Sequence, residues 1–125
     1  MEETKEKEIH PSKTLEKEFV ENFRLIQKLA YDTAKSKGWW EKKCQDGEQI
    51  ALMHSELSEA LEHMRHGNPP DDKIPEFSGV EAELADVVIR IMSYAGANDL
   101  RIGEAIIAKA RYNAGREFMH GGKKF

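Results

Sequence analysis

This 125-residue sequence lacks several features that would place it in a specialised class of protein. Its single cysteine, Cys44, cannot form an internal disulfide and fits a reducing compartment. No apolar run approaches the ~18 residues of a membrane span, and the N-terminus has no apolar signal core. The net charge of -4 is the opposite of the basic excess typical of nucleic-acid-binding proteins. We therefore expect a cytoplasmic protein that binds neither membranes nor nucleic acids.

Strand-like alternation of apolar and polar residues is also missing, as are internal repeats and low-complexity segments. Charged residues make up 34% of the chain and hydrophobic residues 39%, a balance typical of a globular protein rich in helix formers. The length allows one domain with a sizeable core. We predict an all-α, four-helix bundle-like domain over residues 14–118, with flexible tails at residues 1–13 and 119–125.

Apolar residues at three- and four-residue steps predict the four helices. Gly38 is expected to end the first, and Gly67 with the two prolines that follow soon after is expected to end the second. Ser78 and Glu81 fit a capping box at the start of the third. The predicted helices span residues 14–37, 47–66, 79–97 and 100–118. The predicted core seam of the second helix consists of Ile50, Met53, Leu57, Ala60, Leu61 and Met64.

The third predicted helix is apolar on most of its circumference. Its polar line consists of Glu83, Asp86, Arg90 and Ser93, at steps of three, four and three residues. A helix this apolar is normally surrounded by protein, so we expect the polar line to face a shared wet cleft. One small bundle does not provide that much cover, which predicts a homo-oligomer.

Two short acidic motifs, Glu56-Leu-Ser-Glu59 and Glu83-Leu-Ala-Asp86, lie in the second and third predicted helices. Carboxylates three residues apart share one helix face, so two packed helices would bring four of them around one small volume. Four anions gather in this way when a cation neutralises them, and hard oxygen ligands suit Mg²⁺ or Mn²⁺. We predict a metal site built from these four acids. The alternatives are ordinary solvent-facing acids and an ion pair of Asp86 with Arg90.

The order Glu56-x-x-Glu59, 23 further residues, then Glu83-x-x-Asp86 resembles the signature of the MazG-like, all-α nucleoside triphosphate pyrophosphohydrolases. The resemblance covers about residues 15–120 and includes Lys109-Ala-Arg-Tyr-Asn113-Ala-Gly-Arg116, which looks like the family's phosphate-handling element. It implies Mg²⁺-dependent cleavage between the α- and β-phosphates of a nucleotide, giving the monophosphate and pyrophosphate, in nucleotide-pool housecleaning. It also implies a homodimer or homotetramer.

The resemblance and the chemistry together give the acids and the basic element their expected roles. The four acids hold the metal, and Glu56 or Glu59 accepts the proton of an attacking water. Three residues of the basic element step by four and three, share one face of the last predicted helix and suit phosphate oxygens; they are Lys109, Asn113 and Arg116. A solvated basic face near a helix C-terminus is the alternative. Arg90 is a weaker phosphate-binding candidate, because pairing with Asp86 explains it equally well.

Trp39 and Trp40 follow directly after the predicted stop of the first helix. Indole offers a flat face for a nucleobase, and related enzymes use residues of this region around the base. We predict that one tryptophan stacks on the base and the other packs in the core. His54, His63 and His66 lack the paired cysteines or His-Glu-x-x-His pattern of a zinc site, so we expect them at the surface or beside the metal ligands.

Two other functions compete with this hypothesis. A carboxylate-bridged di-iron protein needs Glu-x-x-His on two helices, and only Glu117-Phe-Met-His120 has that spacing here. A non-catalytic helical module for nucleotide binding or oligomerisation is the stronger alternative. The presence of all four acids together with Lys109 and Asn113 argues against it.

Overall fold

The computed structural model describes residues 12–42 and 46–116, and this part of the chain is helical. Its four helices are α1, Lys13–Ser36; α2, Asp46–Arg65; α3, Gly79–Asn98; and α4, Ile102–Ala114. The described residues form no strand, only an isolated bridge between Pro70 and Ser78. The all-α prediction is confirmed for them. The predicted tails lie outside the described residues except for Ser12 and Lys13, and Lys13 already begins α1.

The last helix is the one whose predicted bounds differ most from the observed ones. Asp99 ends α3 in the left-handed region at φ 52, and its N–H donates to the carbonyl of Ala95. This cap delays the start of α4 to Ile102. At the other end the Gly115 N–H donates to the carbonyl of Arg111, and the helix stops at Ala114. The last helix was predicted to continue to residue 118, and this is wrong because α4 ends at Ala114.

The segment between α2 and α3 is held by hydrogen bonds that fix where α3 begins. Ser78 and Glu81 form the predicted capping box, with the side chain of each accepting from the backbone N–H of the other. The Gly79 N–H donates to the carbonyl of Pro69 at 2.9 Å, and the Val80 N–H donates to Asn68 Oδ1 at 2.9 Å. These bonds tie the first turn of α3 to the end of α2, which sets the register of the two helices.

The chain forms two compact units. One contains residues 25–100, and the other contains the described residues up to Arg24 together with those from Arg101 onward. In the larger unit, α2 and α3 pack closely against each other. The second half of α1 also packs on α3 there, since a Cβ at Gly96 would lie 2.6 Å from the Cβ of Tyr31. The Gln27 amide donates to the carbonyl of Leu100 at 3.2 Å.

In the smaller unit, the first half of α1 pairs with α4. A Cβ at Gly103 would lie 3.1 Å from the Cβ of Phe23, so glycine allows close packing there. Arg111 donates to both carboxylate oxygens of Glu16, and Arg24 lies 3.3 Å from Glu104. None of the helices in the described part of the chain is both long and apolar enough to cross a lipid bilayer.

The buried face of α2 agrees with the predicted core seam at Ala60 and differs from it at most other positions. Gln49, Glu56 and Ala60 are buried. The large apolar residues that follow each of them directly are exposed, as is a fourth large apolar residue near the end of the helix. These four residues are Ile50 (45% exposed), Leu57 (44%), Leu61 (48%) and Met64 (59%). We call them the open stripe. The prediction that they lie in the core is wrong for the single chain, because α2 turns a face containing a glutamate toward α3.

Candidate metal centre and adjoining cavity

Three carboxylates from α2 and α3 converge on one small volume. Glu56, Glu59 and Glu83 each offer one oxygen, and these oxygens lie within 4.8 Å of one another. Glu56 is buried, Glu83 is largely buried and Glu59 is exposed. The predicted i, i+3 spacing on α2 and the packing of α2 on α3 produce this convergence. Three hard oxygen donors at this separation fit Mg²⁺ or Mn²⁺.

Glu83 is the most constrained of the three acids. Its Oε1 lies 3.3 Å from His63 Nε2, whereas its Oε2 is buried and has no hydrogen-bond partner among the described residues. An orphaned buried carboxylate oxygen is costly, and a bound cation would satisfy it. His63 in turn lies against the backbone of Gly79, where a Cβ would come within 2.5 Å of its Nδ1. Glycine at this position therefore makes room for the ring that contacts Glu83.

The pKa values of Glu83 and Glu56 are shifted in opposite directions. Burial and the neighbouring Glu56 and Glu59 carboxylates raise the pKa of Glu83 to about 7. Burial also acts to raise the pKa of Glu56, but Glu83 and the Arg90 guanidinium outweigh it, so the pKa of Glu56 lies below its ordinary value. The metal-free cluster therefore holds a proton on Glu83 below about pH 7, while Glu56 keeps a negative charge.

Asp86, the fourth predicted ligand, is not part of this group of three carboxylates. It lies one turn beyond Glu83 on α3, and both Asp86 and Glu56 line the cavity. Burial and the charge of Glu56 raise the pKa of Asp86. Its role as a ligand stays a prediction.

Arg90 pairs with Glu56 instead of Asp86. Its Nε lies 3.0 Å from Glu56 Oε1, and its guanidinium carbon lies 5.2 Å from the centre of the Trp39 ring. The i, i+4 ion pair considered from the sequence is therefore replaced by a bond between helices. This contact links the acidic group to the aromatic residues after α1.

A cavity of about 530 Å³ adjoins the acids within residues 25–100. Its apolar wall comes from the second half of α1, the two tryptophans and part of α3, including Ile26, Leu29, Ile89 and Met92. Polar residues of its wall are Gln49, Glu56, Asp86, Arg90 and Ser93. Three members of the predicted polar line of α3 thus face a common cleft, as expected. The apolar wall and few polar groups are typical of a site for a small organic ligand.

The two tryptophans differ in their surroundings. Gly38, at φ 87, ends α1 with the hydrogen bonds of a Schellman motif, in which the Trp39 N–H donates to the carbonyl of Ala34. Trp40 is fixed by a 3.1 Å hydrogen bond from its Nε1 to Ser93 Oγ. Trp39 is 54% exposed and lines the cavity, and the Arg90 guanidinium lies over one face of its ring.

The predicted phosphate-binding residues of the basic element lie in the other unit of the chain. Lys109 and Asn113 are exposed on α4, and Arg116 lies beyond its end, so the three do not share one helix face as predicted. The Lys109 Nζ and the Arg116 guanidinium carbon lie 5.3 and 5.7 Å from the centre of the Tyr112 ring. Both cations therefore gather around Tyr112.

Some contacts of the site could not be read from the sequence. The hydrogen bond from Trp40 to Ser93 joins residues 53 positions apart. Gln49 is a buried amide in the cavity wall, and the predicted apolar seam of α2 directed attention to its neighbour Ile50. Gly79 carried a weak signal, since a glycine directly after an N-cap often permits close approach. His63 lies beside a predicted ligand, one of the two positions expected for it.

Comparison of the chain with protein-family models, with curated proteins and with solved structures gave no match.

Proposed function

We propose that this protein is a Mg²⁺-dependent nucleoside triphosphate pyrophosphohydrolase. The observation that supports this most is the convergence of Glu56, Glu59 and Glu83 at the edge of an aromatic-walled cavity. The cavity offers a flat surface to a nucleobase, and the acids offer a metal site to its phosphates. The sequence resemblance to MazG-like enzymes agrees with this combination. The role that follows is housecleaning of the cytoplasmic nucleotide pool.

Glu56, Glu59 and Glu83 would hold the ion, with Asp86 as a fourth ligand, and Mn²⁺ could replace Mg²⁺. The orphaned oxygen of Glu83 and the all-oxygen donor set fit such an ion. When bound, the ion supplies positive charge for the phosphate oxygens and lowers the pKa of a bound water. Without that charge, an acidic site would repel a triphosphate.

The residues of the cavity orient the nucleotide. Trp39 stacks on the base, while Trp40, fixed by Ser93, forms the wall behind it. Because Glu56 and Asp86 line the same cavity as Trp39, the phosphate nearest the nucleoside lies closest to the acids. That phosphate is the α-phosphate. Attack by water there releases pyrophosphate and leaves a nucleoside monophosphate.

Glu59 is the acid that we assign to accept the proton of the attacking water. It is exposed, and it forms no ion pair within residues 12–42 and 46–116, whereas Glu56 is paired with Arg90. An oxygen of Glu59 that does not ligate the ion can take a proton without breaking an ion pair. The resemblance implies that Lys109, Asn113 and Arg116 bind the outer phosphates, a role for which a lysine point charge and a planar guanidinium are suited, and this role stays a prediction.

The test is a panel of ribo-, deoxyribo- and modified nucleoside triphosphates with Mg²⁺, followed by detection of pyrophosphate and orthophosphate. For a substrate that is turned over, the reaction is repeated in ¹⁸O-water. We expect pyrophosphate as product and the label in the monophosphate. Label in orthophosphate would identify a simple triphosphatase. Nucleotide binding without any turnover would favour the non-catalytic module instead.

We also propose that the protein is a homodimer or homotetramer, with the open stripe as its interface. The stripe presents four large apolar side chains along one face of α2, and Leu84 and Val88 of α3 are exposed as well. Such an apolar surface on a soluble domain marks an interaction site. Light scattering at micromolar concentration should give at least twice the chain mass of 14.3 kDa. Leu61→Glu should lower this mass, whereas Ser58→Glu, an exposed position on the same helix, should not.

A further inference from the structure

Arg90 is held between the acidic group and the cavity by two different contacts. Its Nε donates to Glu56 Oε1 at 3.0 Å, and its guanidinium stacks 5.2 Å from the centre of the Trp39 ring. The side chain is mostly buried, with 24% of its surface exposed. A guanidinium pairs well with a carboxylate and with an aromatic face at the same time. Arg90 is therefore the positive charge that the metal-free protein itself brings to the cluster.

We propose that a divalent cation displaces Arg90 from Glu56, and that the released guanidinium then binds a phosphate of the nucleotide in the cavity. This inference rests on the proposed function, because it needs both the metal site and the nucleotide. It assigns to Arg90 two successive partners, first Glu56 and then an anionic ligand. Arg90 thereby acts as a positioning residue for Glu56 and as a binding residue for the substrate.

Competition for Glu56 follows from the geometry. Arg90 donates to Oε1 of Glu56 at 3.0 Å, so a cation held by Glu56, Glu59 and Glu83 would lie close to the positive charge of the guanidinium. Two positive charges within a few ångströms of each other repel strongly in a partly buried site. A dication attracted by three carboxylates outweighs a single guanidinium attracted by one of them. The ion should therefore take the position, and the arginine should leave it.

The cavity is the place that can receive the released side chain. Arg90 already lines it, and the cationic side chains in its wall are Arg90 and Lys37. A guanidinium offers a planar fork of donors that fits two phosphate oxygens. The change of partner would also remove Arg90 from the face of Trp39 and leave that face to the base. Metal binding would in this way prepare both halves of the nucleotide site.

The first test measures Mn²⁺ binding to the full chain by calorimetry at low ionic strength, in the absence of nucleotide. If Arg90 competes with the metal, Arg90→Gln should bind Mn²⁺ about tenfold more tightly than the parent protein. Arg65→Gln is the matched control, since Arg65 is an exposed cation on α2 that pairs with Glu62 at 3.6 Å. It should change Mn²⁺ affinity less than about twofold. Unchanged or weaker binding by Arg90→Gln would mean that Arg90 supports the ligand Glu56, and the proposal would be wrong.

The second test needs no Arg90 variant and follows tryptophan emission during a Mg²⁺ titration, since Mg²⁺ does not quench fluorescence. Departure of the guanidinium from Trp39 should change the emission, and the change should vanish in Trp39→Phe but persist in Trp40→Phe. If Mg²⁺ binds with no change in emission, Glu56 uses its other oxygen and Arg90 stays in place. That result would overturn the proposal.

The third test measures binding of a non-hydrolysable α,β-methylene triphosphate in the presence of Mn²⁺. Arg90→Gln should bind this analogue about tenfold more weakly, even though it binds the metal more tightly. Equal binding of the analogue would show that Arg90 does not reach the nucleotide, which contradicts the second half of the proposal. If the parent protein binds no Mn²⁺, the proposed function itself fails. If the parent binds Mn²⁺ but Arg90→Gln does not bind it more tightly, only this inference is overturned.

Discussion

The acidic group on α2 and α3 and the basic element around the end of α4 carry opposite charges in opposite surroundings. Glu56 and Glu83 are largely buried, and their pKa values are shifted by burial and by each other. Lys109 and Arg116 are exposed and gather around Tyr112. Assembly of the acids costs free energy that the contacts of Arg90 with Glu56 and of His63 with Glu83 recover only in part, whereas the exposed cations cost little. The acids are therefore the stronger indication of a functional site.

This difference predicts that removal of the acids has the largest effect on activity. Each of Glu56→Gln, Glu59→Gln, Glu83→Gln and Asp86→Asn should lower Mg²⁺-dependent pyrophosphate release about 100-fold or more, because each removes a proposed ligand or proton acceptor. The helical circular dichroism signal should stay intact. Glu62→Gln, on the same helix and half-exposed in an ion pair with Arg65, is the matched control and should keep full activity. Two or more active variants among the four would contradict the shared metal site.

A smaller effect is expected from the basic element. Lys109→Ala and Arg116→Ala should each raise KM roughly tenfold with a smaller change in kcat, because contacts to the outer phosphates bind the ground state and the transition state alike. Lys28→Ala removes an exposed lysine that pairs with Asp32 and should leave KM unchanged. If the basic variants lose kcat as severely as the acid variants, Lys109 and Arg116 act in catalysis as well as in binding, and this prediction is wrong.

The helices could be predicted from the sequence, but the environment of the acids could not. Periodicity and caps predicted α1, α2 and α3 to within one residue at each end. Periodicity correctly predicted that Ala60 faces the core, but it predicted the same for Leu57 and Leu61, whereas α2 turns Glu56 inward and leaves both leucines exposed. A rotation of the packed face by one residue leaves the helix pattern unchanged and reverses which side chains are buried. A buried glutamate beside an exposed leucine follows from tertiary packing, which the local pattern does not contain.

The contacts between residues far apart in the sequence could not be predicted either. The i, i+4 spacing of Asp86 and Arg90 predicted a local pair, yet Arg90 reaches across to Glu56. Both partners satisfy the arginine electrostatically, and only the packing of α2 on α3 decides between them. The position of Trp40 depends in the same way on a hydrogen bond to Ser93, a residue that the sequence placed only on the polar line of α3.

The pH dependence of stability separates the acidic group from ordinary surface acids. The folded protein holds the proton of Glu83 up to a pKa of about 7, whereas the unfolded chain releases it near 4.5. The folded state thus binds more protons in this window, so the free energy of unfolding falls as pH rises from 4.5 to 7. Glu83→Gln should remove most of this loss and gain on the order of 1–3 kcal/mol above pH 7 in EDTA, while the raised pKa of Asp86 leaves a smaller loss of the same sign. The lowered pKa of Glu56 acts below about pH 4.5 and does not disturb the comparison.

Chemical denaturation across pH 4.5–8, with and without Mg²⁺, measures this effect. In the parent protein Mg²⁺ should reverse the trend, because the ion binds ionised carboxylates and its stabilisation increases with pH. Glu62→Gln should follow the parent curve. A metal-free stability that rises over this window would show that Glu83 is ionised in the folded protein and would remove the evidence that the acidic group is strained.

The smallest expected effect concerns Gly79, which supports the acidic group from a distance. Gly79→Ala places a Cβ within 2.5 Å of His63 Nδ1, so the imidazole must move away and its contact with Glu83 must lengthen. Because Cγ of His63 would also lie 2.6 Å from the new Cβ, the whole side chain must change rotamer; it is one-third exposed, so the free energy of unfolding should fall by only about 1 kcal/mol. Mn²⁺ affinity should fall severalfold, because His63 no longer orients Glu83.

Gly47→Ala is the control for Gly79→Ala. A Cβ at Gly47 meets no atom within 4 Å, so alanine should leave Mn²⁺ affinity unchanged and should leave the free energy of unfolding unchanged or raise it slightly. If Gly79→Ala lowers the free energy of unfolding without changing Mn²⁺ affinity, His63 only packs against Gly79 and does not position Glu83 for the metal.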